Sequence, residues 1–405
     1  MSQRSYKATG INLKGMPMGE SDRMVTVLTK EYGLVRAIAP GARKHKSKLA
    51  GRSGLFVVND LLFIKGKSID KLVQAETVRS FPGLSKDLAK LTASQYLAEI
   101  ALSQALSEQP QEDLYYLLLE HLARLEAAAK PHILACLAQA TFHLLALAGV
   151  APEVFRCCLS RSPLTVDLSN PDWKVGFSVS SGGAVALSEI ERIERDRLAE
   201  IRRSMAQQAA ERDALKAQQQ VAASPLSVQS GQQRELQTTV AEASATYRLS
   251  PSIKAKVAKE VARNLGVVTY LSAAEIALMQ QLSKPQLLLT TPSATSSATP
   301  SVTPSVTPSV SRLATSPNAT NVATDIATTA ATNIGANKGA PDAFGSQIAA
   351  QSGTIGIPAS AEPHLMWRHI EKALRQYVQY QIDRPIRSAT LIDSCFISPD
   401  NASPA

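Results

Sequence analysis

Between residues 36 and 52 the chain reads RAIAPGARKHKSKLAGR, and the chemistry open to it is that of a polyanion clamp. Arg36, Arg43, Lys44, Lys46, Lys48 and Arg52 lie in this run, and no Asp or Glu occurs between Glu31 and Asp60. Lysine and arginine neutralise phosphates and release their counterions, which gives affinity governed by salt rather than by sequence. Gly41, Gly51 and Gly54 let a backbone approach a phosphate closely. Arg23, Lys65, Lys67 and Lys71 extend the candidate set on either side. The competing reading is a solvated loop that serves solubility alone.

The distribution of charge favours the clamp. Residues 1–81 hold fifteen Lys or Arg against six Asp or Glu, which accounts for the whole formal excess of +9. A basic module on a neutral body is the electrostatic footprint of a nucleic-acid or anionic-surface binder. Aromatic residues for base stacking are few there: Tyr6, Tyr32, Phe56 and Phe63. Phe56 and Phe63 sit in an apolar run and read as core, whereas Tyr32 reads as an exposed turn residue. The pattern therefore favours phosphate tracking over base readout.

Other chemistries find little support. Cys157 and Cys158 are neighbours, Cys136 and Cys395 stand apart, and no CxxC pair exists. Neither a disulfide framework nor a four-ligand zinc site is expected, and the cysteine usage fits a reducing compartment. There is no Walker A loop, GxSxG, HExxH or CxxC redox motif. Glu20 and Asp22 read as a solvated turn rather than an acid–base pair. No enzyme activity and no cofactor are expected. The N-terminus lacks the apolar segment of a signal peptide. Residues 131–152 are uncharged but hold His132, Gln139, Thr141 and His143, so a buried core helix is expected there rather than a membrane span.

The elements that must carry the basic run are short strands. Segments 6–13, 23–29, 33–39, 55–65 and 71–78 are rich in Val, Ile, Leu, Phe and Thr, and 6–13 is expected to end near Gly15 and Pro17. Five such segments in about eighty residues predict a small barrel or sandwich, with the basic run on its rim between the third and fourth strands. After Phe81-Pro82-Gly83 the period becomes helical. Leu88, Leu91, Leu97, Ile100 and Ala101 mark one apolar stripe, and Leu114, Leu117, Leu118, Leu122 and Leu125 a second. Pro131 opens a third helix, apolar on nearly every side and so expected at the centre of a bundle.

Residues 151–187 read as irregular. Residues 189–245 read as a long exposed helix broken at Ser224-Pro225, and Ser272-x-x-Glu275 as a capping box. Residues 285–362, with three TPSV copies, are too polar and repetitive to build a core, so disorder is expected. Trp367, Ile370, Leu374, Tyr377 and Val378 predict a last amphipathic helix, stopped at Asp383-Arg384-Pro385, that docks back on the bundle.

Three stretches carry a resemblance. GESDRMVTVLTKEYGLVRAIAPGARKHKSKLAGR resembles the N-terminal domain of the RecO family of bacterial recombination mediators, in wording similar to cyanobacterial members. LTASQYLAEIALSQALSEQPQEDLYYLLLEHLARLE and RQYVQYQIDRPIRSATLID are also RecO-like and lie in the expected order. The resemblance implies an α+β chain with a five-stranded N-terminal OB-fold barrel and a C-terminal α-helical bundle. It implies binding and annealing of single- and double-stranded DNA, joint action with RecR, binding of the C-terminal tail of single-strand binding protein, and help in loading RecA, without nucleotide hydrolysis. With the cysteine usage and the N-terminal sequence above, a soluble, cytoplasmic and nucleoid-associated protein is expected. Some members carry a four-cysteine zinc motif; FRCCLSRSPL followed by GGAVAL departs from it.

The expected organisation is an OB-fold domain at 1–81, helical domain at 82–190, a charged, partly helical insertion at 191–270, and a helix of the helical domain at 271–284. A linker at 285–362, the terminal helix at 363–396 and a tail at 397–405 follow. The alternative function is a helical adaptor with incidental DNA affinity.

Overall fold

The computed structural model of the chain describes residues 5–222, 249–284 and 363–396. The expected linker at 285–362, the tail at 397–405 and the break at Ser224-Pro225 lie outside the described residues. Along the chain come β1 (Ser5–Met18), β2 (Asp22–Thr29), β3 (Gly33–Ala39), a single helical turn α1 (Leu49–Arg52), β4 (Val57–Ile64) and β5 (Asp70–Ser80). Then follow α2 (Leu88–Gln104), α3 (Glu112–Ala127), α4 (Ile133–Leu147), β6 (Lys174–Ser178), β7 (Gly183–Ala186) and α5 (Leu187–Ala222). The described residues end with α6 (Pro251–Asn264), β8 (Val267–Ser272), α7 (Ala273–Gln281), α8 (Pro363–Ile382) and α9 (Ala389–Cys395). They belong to two compact units, one of residues 1–151 with 277–405 and one of residues 152–276.

In the first unit the five N-terminal strands close into a barrel of order β1-β2-β3-β5-β4, antiparallel except where β3 meets β5. This is the OB arrangement. Alternation builds it: Val35, Ala37 and Ala39 of β3 point inward while Arg36 points to solvent. Alanines at Ala8, Ala37, Ala39 and Ala75 leave room inside a small barrel for Phe63 and Leu72. Strand β1 runs on to Met18, past Gly15 and Pro17, the residues expected to end it. A bulge between Asn12 and Lys14 re-aims the strand, and β1 leaves β4 after Ile11. Proline is tolerated on such an edge because no ladder bond there needs its missing N–H.

The helical part of this unit is centred on α4, which packs against α2, α3 and α8. All five leucines expected on α3 are buried, as are the five residues expected on α8. On α2 the expectation fails at Leu88, which is 70% exposed in the first turn. Its stripe starts one residue later, at Ala89, because Asp87 caps the Ala89 and Lys90 amides and so sets the helix phase. Helix α9 is fastened by Arg375, which donates to the Ala389 carbonyl (2.8 Å) and to both oxygens of Asp393 (3.0 and 2.6 Å). Glu99 on α2 accepts from the Arg387 and Ser388 amides.

In the second unit, residues 151–187 are not irregular throughout. They contain β6 and β7, which join β8 in a three-stranded sheet of order β7-β6-β8. Residues 174–178 show no polar alternation because every side chain from Val175 to Ser178 is buried, and β8 comes some ninety residues later. The capping box is present: Glu275 accepts from the Ser272 amide (2.8 Å) and the Ser272 hydroxyl from the Glu275 amide (3.4 Å).

Barrel and bundle of the first unit meet at Gly33, whose φ is +61°. The Leu34 amide donates to the Leu106 carbonyl and the Gln111 amide to the Lys30 carbonyl. A Cβ at Gly33 would lie 2.2 Å from the Leu106 oxygen and 2.5 Å from that of Gln109. Gly33→Ala is therefore expected to cost at least about 1–3 kcal/mol, the usual range for a strained backbone position, read as a lowered denaturant midpoint.

The bundle interior carries a forced pair of tautomers. His143 Nε2 lies 2.7 Å from the Leu282 carbonyl, and His143 Nδ1 lies 3.1 Å from His121 Nε2. A carbonyl only accepts, so His143 is protonated on Nε2; its Nδ1 must accept, and His121 Nε2 donates. Burial holds both imidazoles below their usual range. The unfolded chain thus binds protons that the folded chain refuses once pH falls below about 6.5, and stability is lost as pH falls through that value. Each histidine contributes a slope of at most about 1.4 kcal/mol per pH unit. Denaturant titrations on either side of that pH are expected to show a shallower slope in the His121→Leu, His143→Gln double variant than in the native chain.

Candidate nucleic-acid interface

The loop between β3 and β4 is a built structure. Two apolar anchors, Ala42 and Leu49, pack on the barrel core, and Arg43, Lys44, Lys46 and Lys48 arch out between them. Gly41, at φ +64°, opens the arch, and its amide donates to the Asp22 carboxylate (2.8 Å). The Arg43 amide donates to the Ser21 carbonyl (2.8 Å), and Arg43 Nη1 to the Gly19 carbonyl (2.9 Å). Asp22 is therefore a structural brace for the loop and not merely a solvated turn residue. The amide of Gly41 first, then the Ser21 hydroxyl and the charges of Lys44 and Lys71, hold its carboxyl below the usual range.

The far end of the loop is held by its carbonyls. Asn12 Nδ2 donates to the carbonyls of Ser53 (2.7 Å) and Gly54 (3.0 Å), and Asn59 Nδ2 to that of Arg52 (2.9 Å). Arg23 Nη1 reaches the Ser53 hydroxyl (3.0 Å) and the Ser53 carbonyl (3.2 Å). Arg52 Nη1 reaches the Ala75 carbonyl. Asn12, Ser53 and Asn59 are buried, so these bonds form away from competing water.

The ten sequence-predicted cations thus fall into distinct places. Arg43, Lys44, Lys46 and Lys48 share the arch. Arg23 and Arg52 give guanidinium nitrogens to backbone carbonyls and shape the arch from behind. Arg36 and Lys71 stand exposed on the outer face of β3 and β5, where Lys71 pairs in register with Ile38. Lys67 is exposed in the β4–β5 turn. Lys65 is drawn away to Glu108 at 2.8 Å, and that hydrogen bond raises its pKa.

The outer face also holds residues outside the sequence-predicted set. Cross-strand register aligns Lys14, Thr26 and Arg36 in one row, and Met16, Met24, Ile38 and Lys71 in the next. Lys14 and Met16 are exposed. The signal is the alternation Lys14, Met16, Met18, which a first strand ending near Gly15 hides. This face offers cations and aliphatic or thioether side chains. Of the aromatics, Phe63 is in the core, stacked on Tyr6, and Tyr32 meets Tyr6 edge-on.

Among the described residues no group of three or more His, Cys, Asp or Glu is placed to hold a metal ion. Cys157 is buried, and its sulfur accepts from the Ala186 amide (3.3 Å). Burial pushes this thiol up, but hydrogen bonds from Ser160 and from the Ala186, Ser160 and Leu159 amides together hold it below the usual range. Burial and the charge of Glu153 push Cys158 up to about 11. Gly183 stands in GGAVAL, where the four-cysteine motif would put its second pair; a Cβ there would meet the Glu153 carbonyl at 2.2 Å. Among the described residues no helix is long and apolar enough to cross a membrane.

Comparison with known proteins places the chain in a family. The family described as Recombination protein O N terminal matches residues 1–81, and Recombination protein O C terminal matches residues 85–218. The chain is 39% identical over 405 residues to the DNA repair protein RecO of Nostoc sp., covering 99% of each chain. It is 40% identical to that of Nostoc punctiforme, again over 99% of each. It is 65% identical over 186 residues to that of Gloeothece citriformis, covering 46% of this chain and 66% of the relative.

The bracing role of Arg23 yields a prediction. Arg23→Met keeps the apolar stem and removes the donors, leaving the Ser53 carbonyl with Asn12 alone. Loss of these hydrogen bonds is expected to cost about 1–2 kcal/mol and to speed amide hydrogen exchange at Ser53 and Gly54, with the barrel core unchanged.

Proposed function

The chain belongs to the RecO family, and from that premise we propose that it is a DNA-binding recombination mediator in DNA repair that holds and anneals DNA strands. The observation that carries this reading is the arch of Arg43, Lys44, Lys46 and Lys48, which presents four cations from a rim loop braced at both ends. Pre-ordering the loop lowers the entropy cost of binding, because the cations are displayed before DNA arrives. Phosphate contacts of this kind position a strand without reading it. Arg36, Lys71, Lys67 and Lys14 extend the track across the outer face of the barrel, and single- and double-stranded DNA both offer the phosphates it needs. Arg23 and Arg52 support the site from within the protein, and Lys65 is drawn away to Glu108.

Annealing follows from charge neutralisation. Two complementary strands repel each other through their phosphates, and a cationic surface that binds both lowers that barrier. No step in this chemistry requires nucleotide hydrolysis, a metal or a cofactor, so the protein acts as a binder and not as an enzyme. The family resemblance brings the partners: RecR, the C-terminal tail of single-strand binding protein and, through them, loading of RecA. A cytoplasmic, nucleoid-associated location fits this reading.

The decisive experiment reverses the arch. Arg43→Glu, Lys44→Glu and Lys46→Glu together are expected to abolish annealing of complementary oligonucleotides in a fluorescence assay. Each phosphate of a single strand that the variant no longer neutralises flattens the dependence of log affinity on log salt by about 0.7. Annealing that survived the triple reversal would remove the arch from the DNA site.

A further inference from the structure

The second unit carries a cationic face of its own. Helix α6 holds Lys254, Lys256, Lys259 and Arg263 against one acid, Glu260, and all four cations are exposed. At 3.6 residues per turn, Lys256, Lys259 and Arg263 fall within about 60° of one another, on the side away from the buried Val257 and Val261. From Lys256 to Arg263 this stripe runs about 10 Å along the helix axis. Neighbouring α5 is different. It holds seven acids and seven bases. It pairs them along its own surface, Arg192 with Glu189 and Asp196, and Arg197 with Glu200. Glu260 of α6 is drawn to Arg197 of α5 at 3.6 Å. Among the described residues none of the four α6 cations has an ion-pair partner.

A face that serves only solubility intersperses both signs, as α5 does. On α6 one sign stands alone, and the helix is the less stable for it. Lys259 and Arg263, four residues apart, repel each other. Lys254 lies near the positive end of the helix dipole, where an acid would be favoured, and no acid stands in the first turn. Among the described residues no ion pair offsets these repulsions. A polyanion bound from outside offsets all of them together.

We infer that this face of α6 holds the phosphates of a second DNA strand while the arch holds the first. The inference rests on the strand-holding function proposed above and gives it a second surface. The surroundings of the stripe select the occupant. Besides the cations, the exposed side of α6 carries Ser252 and Ala255 and no large apolar residue. It therefore lacks the apolar anchor on which recognition of a protein partner depends. A helix that lies on a membrane needs its apolar face free. That of α6 is packed against Cys157, Val185 and Ile190 in the core of the unit. What remains is a row of point charges with no element that reads a base, which suits a phosphate backbone. Annealing requires two strands on one protein at once. Two separate cationic surfaces on one chain raise the effective concentration of each strand for the other.

The test uses the full-length protein with Lys256→Ala, Lys259→Ala and Arg263→Ala together. Alanine is the strongest helix former, so α6 keeps its helix. At saturation this variant is expected to hold one short oligothymidine strand where the native chain holds two. It is expected to anneal complementary oligonucleotides about tenfold more slowly. A second variant isolates the face. With the arch reversed by Arg43→Glu, Lys44→Glu and Lys46→Glu, weak strand binding is expected to remain. Its log affinity should fall with log salt at a slope of about 2, for three neutralised phosphates, and the three α6 alanines should remove it. Equal stoichiometry and equal annealing rates in the native chain and the α6 variant would leave the arch standing and overturn the second surface. So would an arch-reversed protein with no remaining binding, or with binding that the alanines left unchanged. A native chain that bound no strand would overturn both readings. If the alanines abolished binding to vesicles of anionic lipid but left annealing unchanged, the face would belong to a membrane and the inference would fall.

Discussion

The candidate interface depends on the capture of a few backbone carbonyls. A loop rich in lysine and glycine has every entropic reason to stay mobile, since lysine side chains and glycine backbones lose the most freedom on ordering. What fixes residues 50–54 is a set of amide and guanidinium donors from the barrel wall: Asn12, Arg23 and Asn59. They are buried or half-buried, so the bonds replace water that cannot return. Of the loop's cations, Arg52 is committed to the Ala75 carbonyl and Arg43 gives one bond to Gly19, while Lys44, Lys46 and Lys48 stay exposed on its outer surface.

The second constraint is the contact between barrel and bundle at Gly33. Two backbone hydrogen bonds cross it, and a left-handed glycine lets the strand end and the loop after α2 approach to within a carbonyl's radius. The ion pair of Lys65 with Glu108 lies across the same joint. A cation with the look of a DNA contact is thereby consumed in architecture. The C-terminal helices are closed over the bundle by Arg375, whose partners Glu371 and Asp393 divide the work. Asp393 is kept low by that hydrogen bond, while burial pushes Glu371 up to about 7.

Much of this is legible in the sequence where a single strand or helix carries its own pattern. Val35, Ala37 and Ala39 alternate with Arg36, and β3 lies where that alternation puts it. The apolar faces of α3, α4 and α8 repeat at helical spacing and are buried. What is not legible depends on partners distant along the chain. Gly15 and Pro17 read as terminators because nothing local reveals that β2 continues to pair with them. Strands β6 and β8 are separated by α5 and α6, so no hairpin marks their pairing, and the buried run of β6 has no alternation to show. The roles of Arg23 and Arg52 are hidden for another reason: a side chain's charge says nothing about whether its donors are already committed to a carbonyl nearby.

The bundle's order in space differs from its order of synthesis. Helix α4 is apolar on almost every side, and one of its covers, α8, begins roughly two hundred residues after α4 ends. At ordinary ribosomal rates this leaves α4 without that cover for about 10–40 s. During that interval the face of α4 that α8 later covers is an apolar, aggregation-prone surface. The nascent barrel is complete long before, since its strands all fall within the first eighty residues. Biogenesis of this chain thus begins with a finished basic domain and an exposed apolar helix awaiting its partner. That places the greatest demand for chaperone protection in the middle of translation rather than at its end.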